Sequence, residues 1–129
     1  MNLRTKSVLT KQAQQFRQAF HIPNSKSRPS RSTQKTLIVE EFKEFIEAED
    51  QLYRDHPSYR IAALKELADL VYVCYQYAAN LEWDLDEALD RVHVSNMTKL
   101  GDDGQPIFRA DGKVLKGPAY QPPNLSDLV

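Results

Sequence analysis

Cysteine, glycine and long apolar runs are all scarce in this chain of 129 residues. Its single cysteine, Cys74, excludes a disulfide framework and falls on the apolar side of a predicted helix. No apolar run approaches the roughly 18 residues that a membrane-spanning helix needs. The first residues lack the hydrophobic segment of a signal peptide. We therefore expect a cytoplasmic protein with no membrane contact.

Acidic residues are missing from the first part of the chain. Residues 1–39 contain eight lysines and arginines and no acid, whereas residues 40–90 contain 14 acids and four bases. The overall balance of 17 basic and 18 acidic residues hides this segregation. A basic arm is one way in which small proteins hold a polyanion. A nucleic-acid-binding helical module, with the acidic helices as a solvated surface, is therefore an alternative to an enzyme.

The hydrophobic pattern predicts an all-α protein. Apolar residues at helical spacing and the positions of Pro23 and Pro57 predict four helices. They run from Thr10 to Phe20, from about Thr33 to Asp50 or Tyr53, from Tyr59 to about Asn80, and from a cap at Asp84 or Asp86 to about Leu100. The basic, serine-rich stretch 25–34 is predicted to be a loop.

A chain of this length is enough for one domain with a modest core. We expect a single domain over 1–129, made of a basic N-terminal helix and loop (1–35), a helical core (36–100) and a tail (101–129). The tail holds all four glycines and four of the seven prolines. Within it, the sequence Ala-Asp-Gly-Lys between two short apolar runs predicts a small hairpin.

Two pairs of carboxylates stand at matching positions on two predicted helices. Glu41 and Glu44 are spaced i, i+3, as are Glu66 and Asp69, so each pair projects from one side of its helix. At about 100° per residue, Glu41 lies near 40° inside the apolar arc counted from Leu37, and Glu66 lies near 40° when counted from Ala62. Asp69 falls at the margin of the second arc. The second helix therefore repeats the geometry of the first.

Charged carboxylates on apolar helix faces need compensation. An unpaired buried carboxylate costs several kcal/mol, and a shared cation would offset that cost. Oxygen ligands without histidine or cysteine favour a hard ion, Mg²⁺ or Mn²⁺. Such ions keep open positions for water and phosphate oxygens, which points to phosphoryl or nucleotidyl chemistry.

These residues also carry a resemblance to a known family. The motifs EExxE at residues 40–44 and ExxD at residues 66–69 resemble the all-α nucleoside triphosphate pyrophosphohydrolases, the MazG-like group related to phosphoribosyl-ATP pyrophosphohydrolase and to the dimeric dUTPases. The resemblance covers roughly residues 35–100. It implies a four-helix-bundle fold with an irregular C-terminal extension. The stretch from VHVSNMTKL to the tail is similar to small phage and bacterial members, more narrowly to the MazZ type of phage enzyme, for which dGTP and GTP are the implied substrates.

The resemblance implies cleavage of a nucleoside triphosphate between the α and β phosphates, giving a monophosphate and pyrophosphate. It assigns the ligands of a Mg²⁺ ion, which Mn²⁺ can replace, and two residues after the fourth helix that contact phosphate. The ligands are Glu41, Glu44, Glu66 and Asp69, and the phosphate contacts are Asn96 and Lys99. Glu41 or Glu44 is the candidate general base, and the sequence does not choose between them. Lys35, one and a half turns before Glu41, is a further phosphate candidate.

Several alternatives remain open within the enzyme class. Phosphoribosyl-ATP, dUTP or dCTP, or several nucleoside triphosphates are substrates that the same metal centre would serve, because base identity depends on a few hydrogen bonds that periodicity cannot locate. Helices this short leave apolar surface uncovered, and related enzymes pair their bundles, so we expect a homodimer or tetramer. Nucleic acid is not an expected partner, because the basic arm lacks interleaved aromatic residues.

Overall fold

A computed structural model of the chain describes residues 5–129. It contains four α-helices and one short 3-10 helix. They are α1 (Val8–Ala19), α2 (Arg28–Glu49), α3 (Pro57–Leu81), α4 (Leu85–Met97) and the 3-10 helix Ser126–Leu128. Over residues 5–129 there is no strand, and the predicted all-α class is confirmed. None of the helices in this range combines the length and apolarity that crossing a membrane requires.

Each α-helix begins after a side chain that accepts a hydrogen bond from a backbone N–H of the first turn. Such caps satisfy donors that have no partner within the helix. The capping residues are Ser7, Ser27, His56 and Asp84, with acceptor distances of 3.0–3.3 Å. The cap of α4 is therefore Asp84 and not Asp86, the other predicted cap.

The predicted loop 25–34 is wrong over most of its length. Helix α2 starts at Arg28 and not near Thr33, because Ser27 caps it and Pro29 lies in its first turn. Proline is favourable there, since its missing N–H would have no helical partner and its φ is already helical. The polar composition of this stretch belongs to an exposed helical turn and not to a loop.

The structure divides into two compact units, the first ending at Trp83 and the second beginning at Asp84. In the first unit α2 and α3 form an antiparallel helical hairpin, and α1 packs on α3. The side chains that are buried in this unit include small residues, which let helix backbones approach closely. The buried apolar residues are Ala13, Ala63, Tyr75, Ala78 and Leu81.

A buried polar cluster ties the start of α2 to the end of α3. The side chain of Asn80 is only 1% exposed and makes several hydrogen bonds. Its Oδ1 accepts from Arg17 Nη2 at 2.7 Å, from Ser25 N at 3.1 Å and from Ser30 Oγ at 3.1 Å, and its Nδ2 donates to the Ser25 carbonyl at 2.9 Å. Arg17 also donates to Gln76 Oε1. These bonds fix the register of α2 on α3, and that register decides which acidic residues of the two helices meet.

In the second unit the tail runs back along α4. Ser95 Oγ donates to the Gln121 carbonyl at 2.6 Å, and Arg91 Nη2 donates to Asp127 Oδ2 at 3.0 Å. Gly117 is buried against the backbone that follows α4, where an added Cβ would lie 2.3 Å from the Leu100 carbonyl oxygen. The chain can turn back there only with glycine.

The predicted hairpin in the tail is present as a turn held by one antiparallel bridge between Phe108 and Val114. Arg109 N donates to the Lys113 carbonyl at 2.7 Å, and Gly112 has a φ of 89°. Glycine reaches this backbone conformation without the steric cost that other residues bear.

Candidate metal centre

Three carboxylates from two helices meet in the first unit. Glu41 projects from α2, and Glu66 and Asp69 project from α3. One carboxylate oxygen from each lies within 4.8 Å of the others. In an octahedral site with oxygens at about 2.1 Å from Mg²⁺, adjacent ligands are roughly 3 Å apart and opposite ligands roughly 4.2 Å apart. The separation of the three oxygens, at most 4.8 Å, is therefore near that of oxygens sharing one ion.

Two oxygens of this group lack a partner. Glu41 Oε2 and Glu66 Oε2 are buried and accept no hydrogen bond in the part of the chain that is described. The side chain of Glu66 is 17% exposed, and that of Asp69 is 36% exposed. A buried acceptor without a partner costs about 1–3 kcal/mol, and a charged one costs more. The donor set is hard oxygen only, so the residues fit a Mg²⁺ or Mn²⁺ ion.

Glu44 lies at the exposed edge of the centre, outside the group of three. It still acts on that group. The pKa of Glu41 is raised first by burial, then by a hydrogen bond with the Glu44 carboxyl and by its negative charge, and then by the charges of Asp69 and Glu66. The three other predicted ligands therefore all act on the pKa of Glu41.

Lys65 is part of this centre and was missed by the sequence reasoning. Its Nζ lies 2.8 Å from Asp69 Oδ2 and 3.4 Å from Glu66 Oε1, while its side chain remains 64% exposed. The hydrogen bond to Asp69, and then the one to Glu66, raise the pKa of the lysine. The signal in the sequence was the i, i+4 spacing of Lys65 and Asp69, which places the two side chains one above the other on a helix.

The remaining candidates of the first unit lie away from these carboxylates. Lys35 is exposed on α2, six residues before Glu41. Six helical residues correspond to about 9 Å along the axis and about 240° around it, so the two side chains leave α2 on different sides. Glu40 is also exposed. The proposed phosphate contact of Lys35 stays a prediction.

Asn96 and Lys99 belong to the second unit. Asn96 is an exposed residue in the last turn of α4, and its carbonyl accepts a hydrogen bond from Lys99 N at 3.1 Å. The Lys99 carbonyl in turn accepts from Gly117 N at 2.8 Å. The backbone of both residues is thus held by the helix end and the returning tail, while their predicted role toward phosphate remains to be tested.

Comparison with known proteins adds one finding. The profile of a family described as phosphoribosyl-ATP pyrophosphohydrolase matches residues 9–96, well over half of the chain. The matched range contains all four carboxylates of the centre. Among individually curated proteins, no significant match is found.

Proposed function

We propose a hydrolytic function from one premise: the chain belongs to the phosphoribosyl-ATP pyrophosphohydrolase family. Membership of this family supports pyrophosphohydrolase activity on nucleotide-like substrates. The more specific proposal is a Mg²⁺-dependent enzyme that cleaves a nucleoside triphosphate between its α and β phosphates. Its main support is the centre itself, in which Glu41, Glu66 and Asp69 converge and two buried oxygens have no hydrogen-bond partner among residues 5–129. Mn²⁺ is expected to substitute for Mg²⁺, since both prefer oxygen ligands.

In this proposal Glu41, Glu44, Glu66 and Asp69 hold the ion. When bound, Mg²⁺ would neutralise negative charge of the triphosphate and lower the pKa of a coordinated water. Of the two candidate general bases we favour Glu44. It lies outside the tight group, is exposed to solvent and has a carboxyl within hydrogen-bonding reach of Glu41. Glu44 is therefore the ligand least committed to the ion, and we propose that it accepts the proton of an attacking water.

The substrate is proposed to be dGTP or GTP. Support comes from the similarity of residues 92–120 to small phage members of the MazG-like group. Phosphoribosyl-ATP is the second candidate, because the matching family carries that substrate in its description. Asn96 and Lys99 are proposed to contact the phosphates, with Lys35 as a further candidate, since an amide and an ammonium suit phosphate oxygens.

A panel of nucleotides tests this function. The full chain would be incubated with Mg²⁺ and each common NTP and dNTP, and with phosphoribosyl-ATP, and the products would be separated by chromatography. We expect a monophosphate and pyrophosphate in equal amounts, fastest from dGTP and GTP, and no reaction in EDTA. A diphosphate plus orthophosphate would overturn the proposed cleavage. Monophosphate formed only from phosphoribosyl-ATP or from pyrimidine nucleotides would keep the chemistry and discard the guanine substrate.

We also propose that the chain forms a homodimer or a tetramer. Large apolar side chains lie exposed along α2 at positions 39, 42 and 46, a spacing of i, i+3, i+7 that follows one side of a helix. On α3, Ile61 and Leu64 are each 68% exposed. Exposed apolar stripes of this kind mark protein interfaces, and closed symmetric assemblies of identical chains are the common solution.

Light scattering tests the assembly. Leu64→Glu is expected to shift the protein to the monomer, because a charge would be buried at the interface. Val8→Glu is a matched control, since Val8 is 67% exposed on α1. A monomeric wild-type protein, or an unchanged assembly in the Leu64 variant, would count against an interface on this face.

A further inference from the structure

We propose that Lys65 is a tethered cation that occupies the carboxylate centre in the metal-free protein and competes with the divalent ion for Glu66 and Asp69. The inference rests on the proposed metal centre and goes beyond it, because it assigns to one residue of this chain control over metal affinity.

The position of Lys65 carries the argument. Its ammonium contacts Asp69 Oδ2 at 2.8 Å and Glu66 Oε1 at 3.4 Å, and these are two of the three carboxylates that converge. It therefore donates to oxygens of the same two carboxylates that would ligate a cation, and it carries charge of the same sign. A metal ion at these carboxylates would repel this ammonium at close range, so each weakens the binding of the other.

Exposure makes the lysine displaceable. The side chain of Lys65 is 64% exposed, so its ammonium can return to water without a desolvation cost. Ion pairs of this exposed type contribute little free energy, and many are disrupted by salt. The lysine thus limits repulsion among the carboxylates when no ion is bound and leaves when an ion enters.

On the buried side of the centre, Lys65 does not contact every carboxylate oxygen. Glu41 Oε2 and Glu66 Oε2 have no hydrogen-bond partner within residues 5–129. Lys65 reaches Glu66 through the other oxygen, Oε1, and within residues 5–129 its ammonium forms no ion pair with Glu41. An ion that contacts all three carboxylates would therefore neutralise negative charge on Glu41 and on Glu66 Oε2 that the lysine does not reach.

Direct titration with Mn²⁺ tests the competition without using activity. The metal-free full chain would be titrated and free Mn²⁺ followed by electron paramagnetic resonance. Lys65→Met removes the charge and keeps much of the side-chain length, and it should bind Mn²⁺ about three- to tenfold more tightly at low salt, as the loss of two exposed ion pairs suggests. Lys65→Arg keeps the charge and should bind like the wild type. Lys11→Met, an exposed lysine of α1, controls for the change in net charge.

Salt and melting supply further readouts. The advantage of Lys65→Met should shrink as ionic strength rises, because exposed charges are screened. In EDTA this variant should melt at or below the wild-type temperature, and it should gain more than the wild type when Mn²⁺ is added. Circular dichroism in EDTA establishes that each variant is helical before titration.

The outcomes separate this inference from the metal centre itself. If wild-type protein binds Mn²⁺ but Lys65→Met binds no more tightly than Lys11→Met, Lys65 is only a surface ion pair and the inference fails. Equal tightening by Lys65→Arg would also overturn it, since the charge is retained. If wild-type protein shows no saturable binding, the proposed metal centre is wrong as well.

Discussion

Replacing Glu41 by glutamine is expected to stabilise the metal-free protein. Within residues 5–129 the buried Glu41 Oε2 has no hydrogen-bond partner, and burial first, then the carboxylates of Glu44, Asp69 and Glu66, raise the pKa of Glu41. A neutral amide removes the repulsion and offers a donor to those neighbours. An unsatisfied buried group costs about 1–3 kcal/mol, so we expect a gain of about 1–2 kcal/mol in the free energy of unfolding. For a chain of this size that is a rise of roughly 3–8 °C in Tm.

The effect should depend on pH with a definite sign. The folded-state pKa of Glu41 lies above its ordinary value of 4.5, so the wild-type fold is favoured while this carboxyl is protonated. That stability is present below the unfolded pKa and is lost as the pH rises through the folded pKa. The advantage of Glu41→Gln should therefore be clear at neutral pH and vanish near pH 4.

Thermal melts in EDTA across this pH range measure the effect. Glu47→Gln, the same chemical change at an exposed position of α2, is the matched control and should leave Tm nearly unchanged. With Mg²⁺ the order should reverse, because the wild type gains a ligand and the variant loses one. A Glu41→Gln protein that is less stable than the wild type in EDTA at neutral pH would refute the view of Glu41 as an uncompensated charge.

Two further predictions concern the scaffold. Asn80→Ala should lower the free energy of unfolding by about 2–4 kcal/mol in urea titrations, because it removes the acceptor of the Ser25 N–H and one acceptor of the buried Arg17 guanidinium. A loss below about 0.5 kcal/mol would contradict that role. Asp127→Asn should speed amide exchange in the tail at neutral pH. The hydrogen bond from Arg91 lowers the pKa of Asp127 below its ordinary value of 3.8. The stability that this pair gives the wild type is therefore present above that value and is lost as the pH falls through the folded pKa. Equal exchange in both proteins at neutral pH would show that the tail does not depend on this pair.

Periodicity was sufficient to predict four helices and to single out Glu41, Glu66 and Asp69, which converge. Because side chains three residues apart share a helix face, Glu66 and Asp69 had to project together, and Glu41 fell inside the apolar arc of its own helix. Neither inference needed a contact between distant parts of the chain. The family resemblance seen in the two motifs is confirmed by the match over residues 9–96.

Other features depended on contacts that one-dimensional patterns do not contain. Arg17 and Asn80 are far apart in sequence and polar, so nothing marks them as partners before the helices are packed. Lys65 looks like any solvated lysine until the distance to Asp69 is known. The start of α2 was missed for another reason: Ser27 and Pro29 signalled it, but the polar composition around them was given more weight.

Pyrophosphate release as a function of Mg²⁺ concentration tests the central claim most directly. The wild-type chain, Glu66→Gln and the control Glu47→Gln would be assayed with the nucleotide that is turned over fastest, with the monophosphate measured in the same samples. We predict equal amounts of both products from the wild type and the control, no release without Mg²⁺, and a loss of several orders of magnitude in folded Glu66→Gln. Undiminished release in EDTA, or from the Glu66 variant, would contradict a metal centre built from these carboxylates.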